Sequence, residues 1–157
     1  MEIEKKFLVR QLPDDLEQYE HSQIEQGYLN EKPAIRIRKK GEEYWFTYKA
    51  RVDAAGKDPV CVNREVELPL TKEAYEHLRT KIDGFLIEKT RYRIGCRQYM
   101  IELDVFHGTY EGMILAEVEF PTEQEAQAFV PPDWFGENVS GDYRYSNASL
   151  ALSGREI

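Results

Sequence analysis

Apolar and charged residues alternate along most of this chain, and within each stretch the charged positions tend to carry a single sign. No other feature restricts its fold so strongly. A period of two is the signature of a β-strand with two unlike faces, because successive side chains point to opposite sides of the pleat. The alternation runs through Met1 to Val9, Ala34 to Lys40, Tyr44 to Arg51, Asn63 to Leu68, Leu86 to Arg93, Tyr99 to Phe106 and Met113 to Phe120, with a further strand at Ile24 to Leu29. That predicts about eight strands, a number at which a sheet can close on itself.

On the polar faces, Glu2 and Glu4 lie with Lys6; Arg36 and Arg38 with Lys40; Lys49 with Thr47 and Trp45; Lys89 with Arg91 and Arg93; Glu102 with Asp104; and Glu117 with Glu119. An ordinary antiparallel sheet also shows water a polar face, which is the plain alternative. Solvated faces intersperse their signs, however, and like charges in rows repel unless something of opposite charge lies between them. A closed barrel resolves the conflict by turning the ionic faces inward.

Helical patterns are few: Leu12 to Tyr19, opened by Pro13; Thr71 to Ile82; Thr122 to Val130, with Thr122 and Glu125 in a capping-box arrangement; and Asn147 to Leu152. They do not follow every strand, so the expected class is α+β: an antiparallel closed β-barrel, or tunnel, with a few short helices packed outside. Turns are expected at Lys40 to Glu42, Asp53 to Pro59, Gly95, Gly108 to Gly112 and Pro131-Pro132. At 157 residues, positions 1–157 are expected to form one domain.

A formal net charge of −8 argues against nucleic-acid or anionic-membrane partners, both of which need a basic face. No stretch approaches the roughly 20 apolar residues needed to span a bilayer, and a cytoplasmic location is expected. Cys61 and Cys96 fit neither a redox pair nor a zinc site and are read as free thiols. Acidic pairs meeting in a confined lumen would bind a cation, and oxygen ligands without His or Cys select a hard ion, Mg²⁺ or Mn²⁺. Facing them, Lys and Arg can hold phosphate oxygens, so the combination is that of phosphoryl transfer.

The segment Glu2-Ile3-Glu4-Lys5-Lys6 is an E-x-E-x-K motif. It is followed in order by Gln26-Gly27-Tyr28-Leu29, Arg36-Ile37-Arg38, Thr47-Tyr48-Lys49, Glu65-Val66-Glu67, Glu88-Lys89-Thr90-Arg91-Tyr92, Glu102-Leu103-Asp104-Val105-Phe106, Ala116-Glu117-Val118-Glu119-Phe120 and Asp142-Tyr143-Arg144-Tyr145-Ser146-Asn147. Together these resemble the CYTH domain of the triphosphate tunnel metalloenzymes. The resemblance implies an eight-stranded tunnel, a small-molecule triphosphate substrate and dependence on Mg²⁺ or Mn²⁺. It implies metal ligands at Glu2, Glu4, Asp104, Glu117 and Glu119, and a triphosphate clamp of Lys6, Arg36, Arg38, Lys49, Lys89 and Arg91, with Arg144 as an added contact.

The expected reaction is hydrolysis of inorganic triphosphate to pyrophosphate and phosphate by in-line attack of water. Lys89 with Tyr28 is the expected proton acceptor, and Lys6 is counted with them among the catalytic groups. Lys89 as a plain phosphate ligand and Tyr28 as an ordinary strand aromatic remain open. Adenylyl cyclase, thiamine or nucleoside triphosphatase, and a non-catalytic polyphosphate- or nucleotide-binding module are the alternatives. A homodimer is left open. Glu65 and Glu67 share a face but are left out of the site.

Overall fold

A computed structural model describes residues 1–52 and 59–153. The strands are β1 (Glu2–Val9), β2 (Glu20–Asn30), β3 (Ala34–Lys40), β4 (Glu43–Val52), β5 (Cys61–Pro69), β6 (Asp83–Cys96), β7 (Tyr99–His107), β8 (Ile114–Glu119) and β9 (Phe135–Asn138). The helices are α1 (Lys72–Arg79), α2 (Glu123–Ala128) and α3 (Asn147–Ser153). All paired strands are antiparallel, in the order β5-β4-β3-β2-β6-β7-β8-β1-β9, and β5 also pairs with β1. That contact closes β1 to β8 into an eight-stranded ring, as the alternation predicts. The turn expected at Asp53 to Pro59 lies almost wholly outside the described residues.

The ring closes over a short register: Glu2 faces Asn63, Ile3 faces Val62 and Glu4 faces Cys61. Further along, the same edge of β1 passes to β9, where Phe7 faces Asn138 and Val9 faces Phe135. β9 has only four residues, too few for a legible period, and it goes unnoticed in the sequence. The chain beyond it stays in the seam: Val139 N–H donates to Lys6 O at 2.8 Å and Lys6 N–H to Ser140 Oγ at 2.8 Å.

The apolar faces of β1, β7 and β8 are buried outside the ring beneath α2 and the segment that follows it, with Phe7, Leu103, Ala116, Val118, Phe120 and Phe129 in one cluster. α1 begins at Thr71, whose side chain accepts from Ala74 N–H, and it packs against β3 and β4. The helix expected at Leu12 to Tyr19 reduces to the 3₁₀ turn Leu16–Gln18. None of those three residues is buried, and Asp15 before them adopts a left-handed backbone, so no apolar face sustains a longer helix.

α3 differs from the other helices in where it packs. Its Ala148, Leu150 and Ala151 join Tyr28, Ile87, Phe106 and Leu115 in a second cluster. Register places Phe106 across from Lys89 and Leu115 across from Asp104, so these apolar residues share the inward face with the charges. α3 therefore stops one part of the lumen with apolar surface. Gly84, at φ 65°, makes the approach possible, since a Cβ there would stand 2.0 Å from Ala151 O. Gly84→Ala is expected to cost about 2–5 kcal/mol, from left-handed strain and overpacking together, measured as a fall in the urea midpoint. No helix among the described residues is long and apolar enough to cross a membrane.

Candidate active site

Strand pairing determines which charges meet. Glu4 stands across from Glu119, Lys6 from Glu117, Glu102 from Glu117, Lys49 from Glu65 and Arg91 from Asp104. On the opposite wall Arg36 is flanked by Tyr28 and Thr47, and Arg38 by Gln26 and Trp45. These faces enclose a cavity of about 900 Å³ whose lining includes Glu2, Glu4, Lys6, Tyr28, Arg36, Arg38, Lys49, Arg91, Glu102, Glu117 and Glu119.

The arginine wall carries more positive charge than its neighbours cancel. Arg36 donates to Thr47 Oγ1 at 3.2 Å and comes no closer than 3.9 Å to Glu67, while its buried Nε has no partner among the described residues. Arg38 donates from Nε to the neutral Gln26 Oε1 at 2.8 Å. Burial first, then Arg36 and Arg91, lowers the pKa of Arg38, which is the mark of a cation short of counter-charge. The guanidinium stays protonated, and it is poised for an anion.

The acidic side is frustrated in the opposite sense. Lys49 lies 2.8 Å from Glu2, 3.5 Å from Glu4 and 3.8 Å from Glu65, one ammonium among three carboxylates. Burial pushes the Glu4 carboxyl up to about 7 despite Lys49, with Glu117 and Glu2 adding repulsion. Glu119 is also raised, by desolvation and then by Glu2, Glu4 and Glu102. Glu117 sits 3.6 Å from Lys6 and 3.9 Å from Arg91; burial works to raise its carboxyl, but Lys6, Arg91 and other cations hold it well below the usual range. Among the described residues no three His, Cys, Asp or Glu side chains already form a closed metal cage. The donor chemistry nonetheless fits a hard cation, since Glu2, Glu4 and Glu119 offer oxygen donors that repel one another with too few cations between them.

Three of the residues singled out in the sequence do not line the cavity. Asp104 is held by Arg91, Nε to Oδ1 at 2.7 Å and Nη2 to Oδ2 at 2.9 Å, and by Lys89 Nζ at 2.8 Å. Lys89 is 0% exposed and donates also to Asn147 Oδ1 at 3.1 Å. Burial, outweighing Asp104 and helped by Arg91 and Arg38, lowers its amine to about 7. Desolvation is the larger cause of that lowering, ahead of the neighbouring cations. Arg144 is turned outward and forks onto Asp142, with Nη2 to Oδ2 at 2.6 Å.

Other groups emerge only with the fold. Glu65 and Glu67, left out of the site on the sequence, line the cavity, and so does Glu102, which shares a strand face with Asp104 but is not among the ligands the resemblance implies. Asn147 and Gln26 reach Lys89 and Arg38 from elements whose apposition no local pattern announces.

Fold and cavity define a closed antiparallel barrel whose interior holds an arginine wall facing clustered carboxylates, an arrangement with charge of both signs to offer a ligand. The chain belongs to the CYTH domain family, whose model matches residues 1–152. A Nitrosomonas europaea protein named inorganic triphosphatase is 40% identical over 157 residues, covering 97% of both chains. An Acetivibrio thermocellus protein of the same name is 33% identical over 152 residues, covering 95% of this chain and 92% of its own. The crystal structure of an inorganic triphosphatase, 39% identical, superposes with a TM-score of 0.70 over 98% of this chain and 95% of that one. A Hippeastrum protein described as having a dominant triphosphatase activity shares the fold at 14% identity, with a TM-score of 0.71 over 100% of this chain and 98% of its own.

Proposed function

We propose that this protein, acting as one domain over its whole length, hydrolyses inorganic triphosphate with water to pyrophosphate and phosphate. The observation that carries the reading is the pairing of two uncompensated surfaces in one lumen: Arg36 and Arg38 short of anions, and Glu4 and Glu119 short of cations. A polyanion that brings a divalent cation satisfies both at once. Two relatives named inorganic triphosphatase, matched along nearly their full length, support the same substrate.

Arg36, Arg38 and Arg91 would grip the phosphate oxygens, with Lys6 and Lys49 beside the acidic cluster. Charge that develops on the transferring phosphoryl group meets guanidinium groups already held in place, which lowers the barrier without reorganisation. Glu2, Glu4 and Glu119, with Glu102 and Glu117 adjoining, would hold Mg²⁺ or Mn²⁺. When bound, such an ion supplies Lewis-acid charge to the phosphate oxygens. For the proton of the attacking water we assign Tyr28 with Lys89, the first lining the cavity and the second a buried amine that burial lowers to about 7.

The test is to supply triphosphate, ATP and thiamine triphosphate with Mg²⁺ or Mn²⁺ and identify the products. Pyrophosphate plus phosphate from triphosphate is expected. Cyclic AMP from ATP, or tight binding with no turnover, would overturn the reading. Two pH effects follow from the site. Metal must displace the proton of Glu4, so apparent metal affinity is expected to fall as pH drops below about 7, by up to about tenfold per pH unit, in metal titrations of activity. At saturating metal, kcat is expected to rise through pH about 7 as Lys89 loses its proton. A Lys89→Ala protein that binds triphosphate weakly yet keeps its turnover rate would end that assignment.

A further inference from the structure

Three arginines of the cavity wall, Arg36, Arg38 and Arg91, are oriented by chemically different partners. Arg91 is forked by Asp104 and has Glu102 at 3.4 Å, so carboxylates cancel much of its charge. Arg36 has Thr47 and a distant Glu67. Arg38 is fixed through Nε by the amide oxygen of Gln26 at 2.8 Å, and among the described residues no carboxylate is in ion-pair contact with it.

Gln26 is 0% exposed and stands across from Arg38 on the neighbouring strand. A guanidinium has only donors, so the amide must turn its oxygen to Arg38 and direct its nitrogen elsewhere. That nitrogen is buried and has no partner among the described residues. Orphaned buried donors are rare in native proteins and destabilising. A glutamate of the same shape would remove the orphan and complete an ion pair, and it would also neutralise Arg38.

We propose that Gln26 is a positioning residue that aims Arg38 into the cavity through Nε while leaving the full guanidinium charge available to a substrate phosphate. An acceptor is needed to hold the side chain, and an uncharged one is needed to keep its charge. Glutamine meets both requirements, and the buried amide nitrogen is the cost. This inference rests on the triphosphatase reading and deepens it.

The test compares Gln26→Glu and Gln26→Met with the natural protein by steady-state kinetics on triphosphate, calorimetric binding of triphosphate without metal, and thermal unfolding. Gln26→Glu is expected to raise KM and weaken binding by about tenfold or more while the unfolding midpoint stays the same or rises. Gln26→Met, which removes the acceptor without adding charge, is expected to lower kcat more than it raises KM, because an unheld guanidinium is misaimed in the transition state. With Arg38→Ala already present, Gln26→Glu is expected to leave KM unchanged. A KM within about twofold of the natural protein for Gln26→Glu, or the same rise with and without Arg38, overturns the proposal. Should Gln26→Glu not fold, the same comparison made with Gln26→Met in both backgrounds decides it through kcat. A natural protein that neither binds nor hydrolyses triphosphate removes the functional reading and this inference together, whereas an active natural protein with unaffected variants removes this inference alone.

Discussion

Asp104→Asn is expected to lower the free energy of unfolding by about 3–5 kcal/mol, the penalty for stripping the counter-charge from buried cations. Asp104 is 1% exposed and accepts two hydrogen bonds from Arg91 and a 2.8 Å contact from Lys89, itself 0% exposed. An amide cannot balance the Arg91 guanidinium, nor Lys89 while it is protonated. Burial alone would raise the Asp104 carboxyl, but Arg91 and Lys89 prevail and its pKa is lowered. A carboxylate with a depressed folded pKa contributes stability that is present above its unfolded pKa and is lost as pH falls through the folded value. The gap between the natural protein and Asp104→Asn should therefore be full near neutrality and should narrow below about pH 4, read from urea midpoints across pH. The motif resemblance implies Asp104 as a metal ligand, and the same protein can judge that role. A small stability loss with a steep rise in metal requirement would mean that the carboxylate leaves its cations for the metal, and the structural account would fail.

Glu119→Gln should behave in the opposite way. Glu119 is raised by desolvation and then by Glu2, Glu4 and Glu102, so neutralising it relieves repulsion in the empty protein. Stability should hold or improve slightly. Turnover should fall by about a thousandfold or more, equivalent to about 4 kcal/mol of transition-state stabilisation, and should recover only partly at high Mg²⁺ or Mn²⁺. The measurement is kcat against metal concentration beside an unfolding curve for the same preparation. Activity within about tenfold of the natural protein at ordinary metal concentrations would place the cation elsewhere in the lumen.

The contrast between Asp104 and Glu119 shows what could be read without coordinates. Both are acidic, both lie on inward strand faces and both belong to the motif blocks, so no local property separates them. What separates them is company: Asp104 stands across from Arg91, whereas Glu119 stands across from Glu4. The same holds for Lys89, which shares a face with Arg91 yet is sealed behind the cavity wall by Phe106, Asp104 and Asn147. Arg144 sits in a family block and still turns to Asp142 and solvent, because its short 3₁₀ turn aims it outward.

The eight strands of the ring, their two faces, the closure they allow and the signs of charge along the interior were legible in the sequence. Period-two alternation is a consequence of local backbone geometry and needs no knowledge of neighbours. Which charges cancel and which stay unsatisfied was decided only by the tertiary structure. That depends on strand register, on the seam where β9 replaces β5 beside β1, and on α3 entering the lumen from a segment far along the chain. The physical reason is that electrostatic energy depends on distance and burial, and both are properties of the closed barrel rather than of any one strand.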